Sequence, residues 1–441
     1  MPESTLEAVE AAPGAHIDGP VSSSVGGERP PGEGERPPTS GDTRPTALRN
    51  RDFLLLWLGQ LVSQMGDRVH AIALMWWVLE KTGSAALMGT VLIFATVPTV
   101  ALGAFAGGYV DRWNRKAVIV GTDFARGAAV LTVAVLAIRG TLEIWQILVA
   151  TCFSSAASVF FGPAVQATIP NLVRKDEITR ANSLSQMTVQ GTGIVGPALG
   201  GILIGIWGVG GVFLVNGLSF IVSGISELFI VVPPTERGAT ERKHILVELK
   251  DGFRFVRDRP TIFGILKVAA VLNFFTAPFA ILLPIVAKDL LGRGAEALGF
   301  LMTLFSVGFL AASAALAVTR ERKRKHPLII LGIALTGVCL MVMGLVISYP
   351  SYLILMCAMG ILLGFANISI MAYFQSVIPD EIRGRVFGFM TTLVGGLQPL
   401  AFGVIGILAD VISITAVFVI SGSALVVGGL SLYAVRGMRE V

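Results

Sequence analysis

The sequence predicts an all-α membrane protein, with twelve transmembrane helices arranged as two pseudo-symmetric six-helix bundles. Three observations carry that prediction. Of 441 residues, 54% are hydrophobic and only 14% are charged, whereas soluble domains carry about a quarter charged residues. Apolar segments long enough for the ~20 residues that cross a hydrocarbon layer recur in two groups of six. The loops of the first group also echo those of the second.

The chain opens on a different material. Residues 1–47, which include PGAHIDGPVSSSVGGERPPGEGERPPTSGDTRP, are too poor in bulky apolar side chains to offset the entropy of ordering, and a disordered cytoplasmic tail is expected. The tail lacks the apolar stretch of a secretory signal, so the first span is expected to direct insertion. Six spans follow at roughly 53–80, 86–110, 117–138, 144–168, 184–206 and 209–233, within a bundle over 48–233. A polar linker over 234–260 places Ile245, Leu246, Leu249, Phe253 and Val256 at helical spacing among charges. That is the pattern of an amphipathic helix lying on the cytoplasmic surface. The second six spans fall at roughly 261–287, 296–318, 327–347, 351–378, 385–408 and 412–435, within a bundle over 261–441. IPNLVRKDEITRANSL at 169–184 is echoed by VIPDEIRGRVFGF at 377–389, and GGYVDRWNRKAVIV at 107–120 corresponds in place to AVTRERKRKHPLII at 317–330. Bundles repeated in this way put a substrate site near the membrane midplane between them.

The net charge of +5 is distributed as a topology signal. With the N-terminus inside, the inner loops hold Arg112, Arg115, Lys116, Arg174, Lys175, Arg180, the basic residues of 234–260, the run RERKRK at 320–325, Arg383, Arg385, Arg436 and Arg439. The outer loops hold only Lys81, Arg139, Lys288 and Arg293. Lys and Arg accumulate on the cytoplasmic side, so both termini are expected there. The same distribution assigns these cations to an anionic lipid surface rather than to nucleic acid. Cys152, Cys339 and Cys357 lie in apolar spans without metal spacing and read as small hydrophobes. With four histidines and no HxxxH or triad-like grouping, neither catalysis nor a metal or cofactor is expected.

GGYVDRWNRK, residues 107–116, resembles the G-x-x-x-D-R-x-x-R-K loop between the second and third helices of the major facilitator superfamily, at Gly107, Asp111, Arg112, Arg115 and Lys116. Tyr109 stands where Leu is common and Asn114 where Gly is; Asn accepts left-handed backbone, so the turn is expected to survive. The resemblance implies a conformational latch, in which Asp111 and the arginines contact helix ends and charges of the other bundle. GPALGG, with Gly196, Pro197, Gly200 and Gly201, looks like the core of the motif typical of drug-exporting antiporters, although Thr192 stands where the fuller motif has Gly. The same glycines also read as a packing face with no directional meaning. GTGIVG at 191–196 matches a dinucleotide fingerprint letter for letter, but it lies inside an apolar span instead of between strand and helix. LGQLVSQMGD, FGPAVQATIPNLV and ANSL look like the branch containing bacterial macrolide-efflux and siderophore-export carriers. That resemblance implies a monomeric, proton-coupled exporter of hydrophobic small molecules in the bacterial cytoplasmic membrane. Its partners would be a small-molecule substrate, protons and the bilayer. A proton-coupled importer of a small nutrient and a non-transporting scaffold or sensor are the alternatives.

Charges inside the spans are the candidate site. Asp67 lies ~21 Å along the first span, at or just past mid-membrane. Gln60, Ser63, Gln64, Asp67 and His70 recur at i+3 and i+4, so they form one polar stripe, expected to face the central cavity. Asp67 reads either as a proton-coupling or substrate-cation site or as the structural partner of an arginine. Arg68 points elsewhere, toward an acid on another helix, an anionic substrate or the interface. His70 reads as a hydrogen-bonded helix histidine or as part of a proton relay. Gln190 extends a polar-stepped face on the fifth span, and Asp123 with Arg126 reads as a structural i, i+3 ion pair. Glu227 and Lys267 are expected to snorkel from span ends, and Asp410 closes the eleventh span. The second half offers only Asn273, Asn367, Gln398 and hydroxyls at depth, with Phe274, Phe275, Phe305 and Phe365 as aromatic contacts. An apolar second half that adapts to substrate, beside a first half that handles ions, is the expected division.

Overall fold

The computed structural model describes residues 46–110, 112–232, 253–319, 326–435 and 438, all within the unit spanning 44–441. The expected tail, Asp111, most of the linker (233–252) and the basic run 320–325 therefore lie outside the described residues.

Among the described residues there are helices and no strands. The first half runs α1 (Arg51–Thr82), α2 (Ala85–Val110), α3 (Arg115–Ile138) and α4 (Ile144–Leu172). It ends in one helical run, Ile178–Leu228, broken at Gly208 into α5 (178–207) and α6 (209–228). Gly208 has φ 67° and ψ 174°, a conformation open in practice only to glycine, and this residue turns the chain back through the membrane. The second half runs α7 (Pro260–Ile285), α8 (Ala295–Val318), α9 (His326–Leu345) and α10 (Tyr349–Val377). It closes with α11 (Asp380–Gly396, continued by Gln398–Val411) and α12 (Ile414–Ser431). Among the described residues, ten helical segments are long and apolar enough to cross a membrane. One of the ten is the joined α5–α6 run, and α1, with its charged stripe, completes twelve.

Helix starts follow local chemistry. Asn50 Oδ1 accepts from Phe53 N at 3.0 Å and caps α1. Asn114 does the same for α3, accepting from Ala117 N at 3.2 Å with φ −71°. The expected left-handed turn is thus corrected: Asn114 substitutes for Gly as an N-cap, in extended backbone.

Glycines set the packing within each half, and the pattern repeats. A Cβ at Gly127 or Gly217 would run into Ile221 or Leu131, which joins α3 to α6. Gly337 and Gly422 approach each other's backbone and join α9 to α12 in the same way. α2 and α4 meet at Thr99 and Ser155, whose hydroxyls are 3.1 Å apart. Their counterparts α8 and α10 meet where Gly308 abuts the Cys357 carbonyl and Gly360 that of Phe305. This repetition is the pseudo-symmetry of two six-helix bundles.

Two seams join the halves, α2 on α11 and α5 on α8. Both are closed at the end that carries the α1–α2 loop. There Gly89 lies on the Phe402 carbonyl, Gly406 on Ala85, Gly201 on Ala295 and Gly299 on Pro197. Thr303 Oγ1 donates to Ile194 O at 2.9 Å and Ser306 Oγ to Gly193 O at 3.0 Å. Toward the opposite end, a Cβ at Gly103, Gly108, Gly191, Gly384 or Gly388 would meet nothing within 4 Å. The molecule is sealed at one end and parted at the other.

Candidate substrate and coupling sites

The polar stripe of α1 packs along one edge on a matching stripe of α6. Asn216, Ser219, Ser223 and Glu227 recur on α6 at helical spacing. Gly66 lets Asn216 and Ser219 approach α1, and Gly59 lets in Ser223 and Ser226. Gln60 and Ser63 are buried, and Gln64 Nε2 reaches Gln60 Oε1 at 3.4 Å. The His70 ring lies 4.8 Å from that of Phe213, and its Nδ1 is buried without a hydrogen bond among the described residues. Gln60 and Ser63 are interior to the first bundle because α6 offers small and polar partners at their level.

Asp67 meets an arginine from a third helix. Arg126 Nη2 donates to Asp67 Oδ2 at 2.7 Å, while Arg126 Nη1 stands 3.9 Å from Asp123 Oδ1. The expected Asp123–Arg126 pair is therefore a looser second contact. The guanidinium also lies over the Phe220 ring, 4.0 Å from its centroid. Asp67 keeps 40% of its side chain exposed, whereas Arg126 keeps 10% and Asp123 none. Arg68 is exposed, with its stem against Gly196 and no carboxylate partner among the described residues. Gln190 is exposed on the parted side of α5.

The second half encloses a cavity of about 750 Å³. Phe279, Phe305, Phe309, Phe374 and Met390 give it an aromatic and thioether wall, and no charged residue lines it. Its polar groups are Asn273, Thr276, Thr336, Asn367 and Gln398. Asn273 and Asn367 are thus two polar points on the wall of a largely apolar space. Gln60, Gln64, Asp67, Arg68, His70 and Gln190 are not among its lining residues.

The two motifs also have defined places. Gly196 and Gly200 let α5 pack on Arg68, Val69 and Ile72 of α1, and Gly201, with the Pro197 carbonyl, takes up α8. GPALGG is the point where one helix touches both its own bundle and the other. At the parted end, Gly107 lies in the last turns of α2 and Arg112 is exposed beyond it. Arg115 Nη1 donates to Ala167 O at 3.0 Å and Lys116 Nζ to Leu228 O at 2.7 Å. These two contacts tie the start of α3 to carbonyls of α4 and α6 in the same bundle.

A family model described as a transmembrane secretion effector matches residues 43–440. The chain belongs to this family of the major facilitator superfamily. Macrolide efflux protein A of Streptococcus pyogenes is 24% identical over 377 residues, covering 85% of this chain and 93% of its own length. Multidrug efflux pump Tap of Mycolicibacterium fortuitum is 25% identical over 403 residues, covering 88% and 96%. A solved bacterial homologue of the iron transporter ferroportin, in an inward-facing state, has a TM-score of 0.71 at 17% identity, over 88% of this chain and 99% of that one. A bacterial homologue of the human lysosomal transporter Spinster, inward-facing and unoccupied, has a TM-score of 0.66 at 15% identity, over 89% and 96%. These structural likenesses show the fold.

Family membership makes this facilitator a multi-pass membrane transporter and not an enzyme. Sequence reasoning missed one member of its polar interior. Glu227 does not snorkel: it is 1% exposed, and its Oε1 accepts from Ser223 Oγ at 3.4 Å. The signal was present, since Glu227 continues the Asn216–Ser219–Ser223 face by one more turn. Lys267 is exposed, with its Nζ 4.2 Å from the Phe263 ring centroid.

Proposed function

We propose that this facilitator exports hydrophobic small molecules in exchange for protons by alternating access of two bundles, 48–233 and 261–441, joined by the 234–260 linker. It works as a monomer in the bacterial cytoplasmic membrane with both termini inside. The observation that carries this reading is the division of chemistry between the halves. The second half holds an uncharged aromatic cavity of about 750 Å³, and the first holds an acid and a guanidinium paired inside the membrane. An uncharged wall suits hydrophobic compounds of varied shape, and it disfavours import of a polar nutrient, which would require more hydrogen-bonding groups in both halves.

The distribution of Lys and Arg makes the sealed end the outer one, so the conformer described is open to the cytoplasm. An exporter loads in that state. Asp67, half exposed beside Arg126, is the group that takes up and releases the coupling proton as the seams alternate. Asp111, Arg112, Arg115 and Lys116 engage the second bundle when the inner end closes, and the GPALGG segment of α5 is the pivot against α8. Similarity to proteins named for macrolide and multidrug efflux supports the direction and the class of cargo.

Proteoliposomes loaded with a radiolabelled macrolide and given an imposed pH gradient test the reading. Gradient-driven movement in the wild type and its loss in Asp67→Asn are expected. Full-rate driven transport in the variant removes Asp67 as the coupling site, and gradient-independent flux in the wild type removes proton coupling.

A further inference from the structure

Behind the Asp67–Arg126 pair lie two carboxyl groups that the reading above does not use. Asp123 is fully buried, and neither of its oxygens accepts a hydrogen bond among the described residues. Its nearest cation, Arg126 Nη1, stays 3.9 Å away because that side chain is committed to Asp67 at 2.7 Å. Glu227 is 1% exposed; Ser223 Oγ donates to its Oε1 at 3.4 Å, and its Oε2 accepts nothing among the described residues. On α6 the adjoining Gly224 lies against the Phe124 ring of α3, which brings Ser223 to the level of Asp123, so one hydroxyl lies at the height of both acids.

The groups facing this interior are Asp67 from α1, Asp123 and Arg126 from α3, and Asn216, Ser219 and Ser223 from α6. Lys116 of α3 is turned onto the Leu228 carbonyl, and His70 of α1 lies against Phe213. Three acids thus share one guanidinium. Two ionised carboxylates buried with a single hydroxyl donor and one distant, already committed guanidinium between them are an arrangement that folded proteins avoid. A metal ion does not relieve it: among the described residues no group of three or more His, Cys, Asp and Glu is placed to hold one, and Arg126 occupies the centre. The cation that fits is a proton.

We propose that Asp123 and Glu227 form an internal proton-binding site between α3 and α6, bridged by Ser223 and gated by Arg126. The proposal rests on the antiport reading and adds a second station to it. While Arg126 holds Asp67, Asp123 and Glu227 share one proton. When Asp67 takes a proton from water, Arg126 leaves it and closes on Asp123. The shared proton then resides wholly on Glu227, passed through the Ser223 hydroxyl. One proton has entered, and every acid is now either protonated or paired.

Infrared difference spectroscopy of the full-length protein in lipid, stepped in pH without substrate, reads buried protonated carboxyls through their C=O stretch. A band for such a group in the wild type at neutral pH is expected. It should persist in Asp67→Asn, shift in Ser223→Ala and vanish in Asp123→Asn/Glu227→Gln. Absence of the band from folded wild type, or an unchanged band in the double variant, overturns the proposal. Should the double variant not fold, Ser223→Ala decides, because it leaves both acids in place; a band that does not move there also overturns the bridge. No substrate or gradient enters this measurement. A responsive band without gradient-driven macrolide movement therefore supports the site and removes the antiport reading alone.

Discussion

Asp410 Oδ2 accepts a hydrogen bond from Ser84 Oγ at 2.7 Å. The same carboxylate accepts from the backbone N–H groups of Ala85 at 2.7 Å and Ala86 at 3.1 Å. An acid at the end of α11 thus caps the first turn of α2 in the other half, where N–H groups lack intrahelical partners and negative charge is favoured. In sequence Asp410 is an ordinary charge closing a span. In the fold it bonds the two bundles at their sealed end, and those bonds must break before that end can open.

Asp410→Ala is expected to destabilise the sealed state by about 1 kcal/mol, the usual worth of a helix cap. That corresponds to roughly a fivefold shift toward conformers parted at this end. Spin labels at the exposed positions Lys81 and Val411 read the separation directly. A distance distribution identical to that of the wild type would show that the cap does not hold the seam.

The Asp67–Arg126 contact gives a second expectation. Arg126→Gln leaves a deep acid without its partner and should lower the Tm of the purified protein. Asp67→Asn should cost about 1–2 kcal/mol, less than the ~3–5 kcal/mol of a fully buried pair, because 40% of the Asp67 side chain is exposed. Combining the two substitutions should recover part of the loss, since neither charge is then stranded. Strict additivity of the Tm changes would mean that the two residues are not coupled.

How much of this was legible follows from the physics of each feature. The spans were legible because hydrocarbon thickness fixes their length, and even the α5–α6 break falls in the short gap left between two apolar runs. The stripe Gln60–Gln64–Asp67 was legible as one face of a helix. What it faces was not, because that depends on α6 presenting Asn216, Ser219 and Ser223 at the matching height. Sequence spacing pairs Arg126 with Asp123, three residues away, yet the shorter contact is to Asp67 on another helix, a choice made by how α1 and α3 both pack against α6. Asn273 and Asn367 line the cavity because polar residues at depth in an apolar half have few other places to go.

Glycine contacts within and between halves should respond differently to the same substitution. A Cβ at Gly299 meets the Pro197 carbonyl across the α5–α8 seam, and a Cβ at Gly308 meets the Cys357 carbonyl inside the second bundle. Gly299→Ala can be relieved by parting the halves, so it should favour the open form of the sealed end with little loss of Tm. Gly308→Ala has no such escape within a packed bundle and should lower Tm, with a cost of about 1–3 kcal/mol for overpacking. The reverse ranking, in Tm and in the spin-label distances, would place the moving seam elsewhere.

The cavity makes the last expectation. Asn273 and Asn367 are two of the few polar groups on a wall otherwise built from Phe, Met, Leu and Ala. Asn273 Nδ2 already donates to the Ala269 carbonyl at 3.1 Å, which leaves its Oδ1 toward the cavity as an acceptor. A cargo hydroxyl or amide that meets these side chains gains about 0.5–1.5 kcal/mol per bond, equivalent to roughly a two- to tenfold change in affinity. Asn367→Leu keeps the branching at Cγ and the heavy-atom count but removes the polar contact. It should raise the KM for a hydroxyl-rich macrolide by up to about tenfold while leaving kcat near that of the wild type. A purely hydrocarbon-like dye should move through the variant as well as before or better. If both probes lose transport equally, Asn367 is holding the helices together and is not reading the cargo.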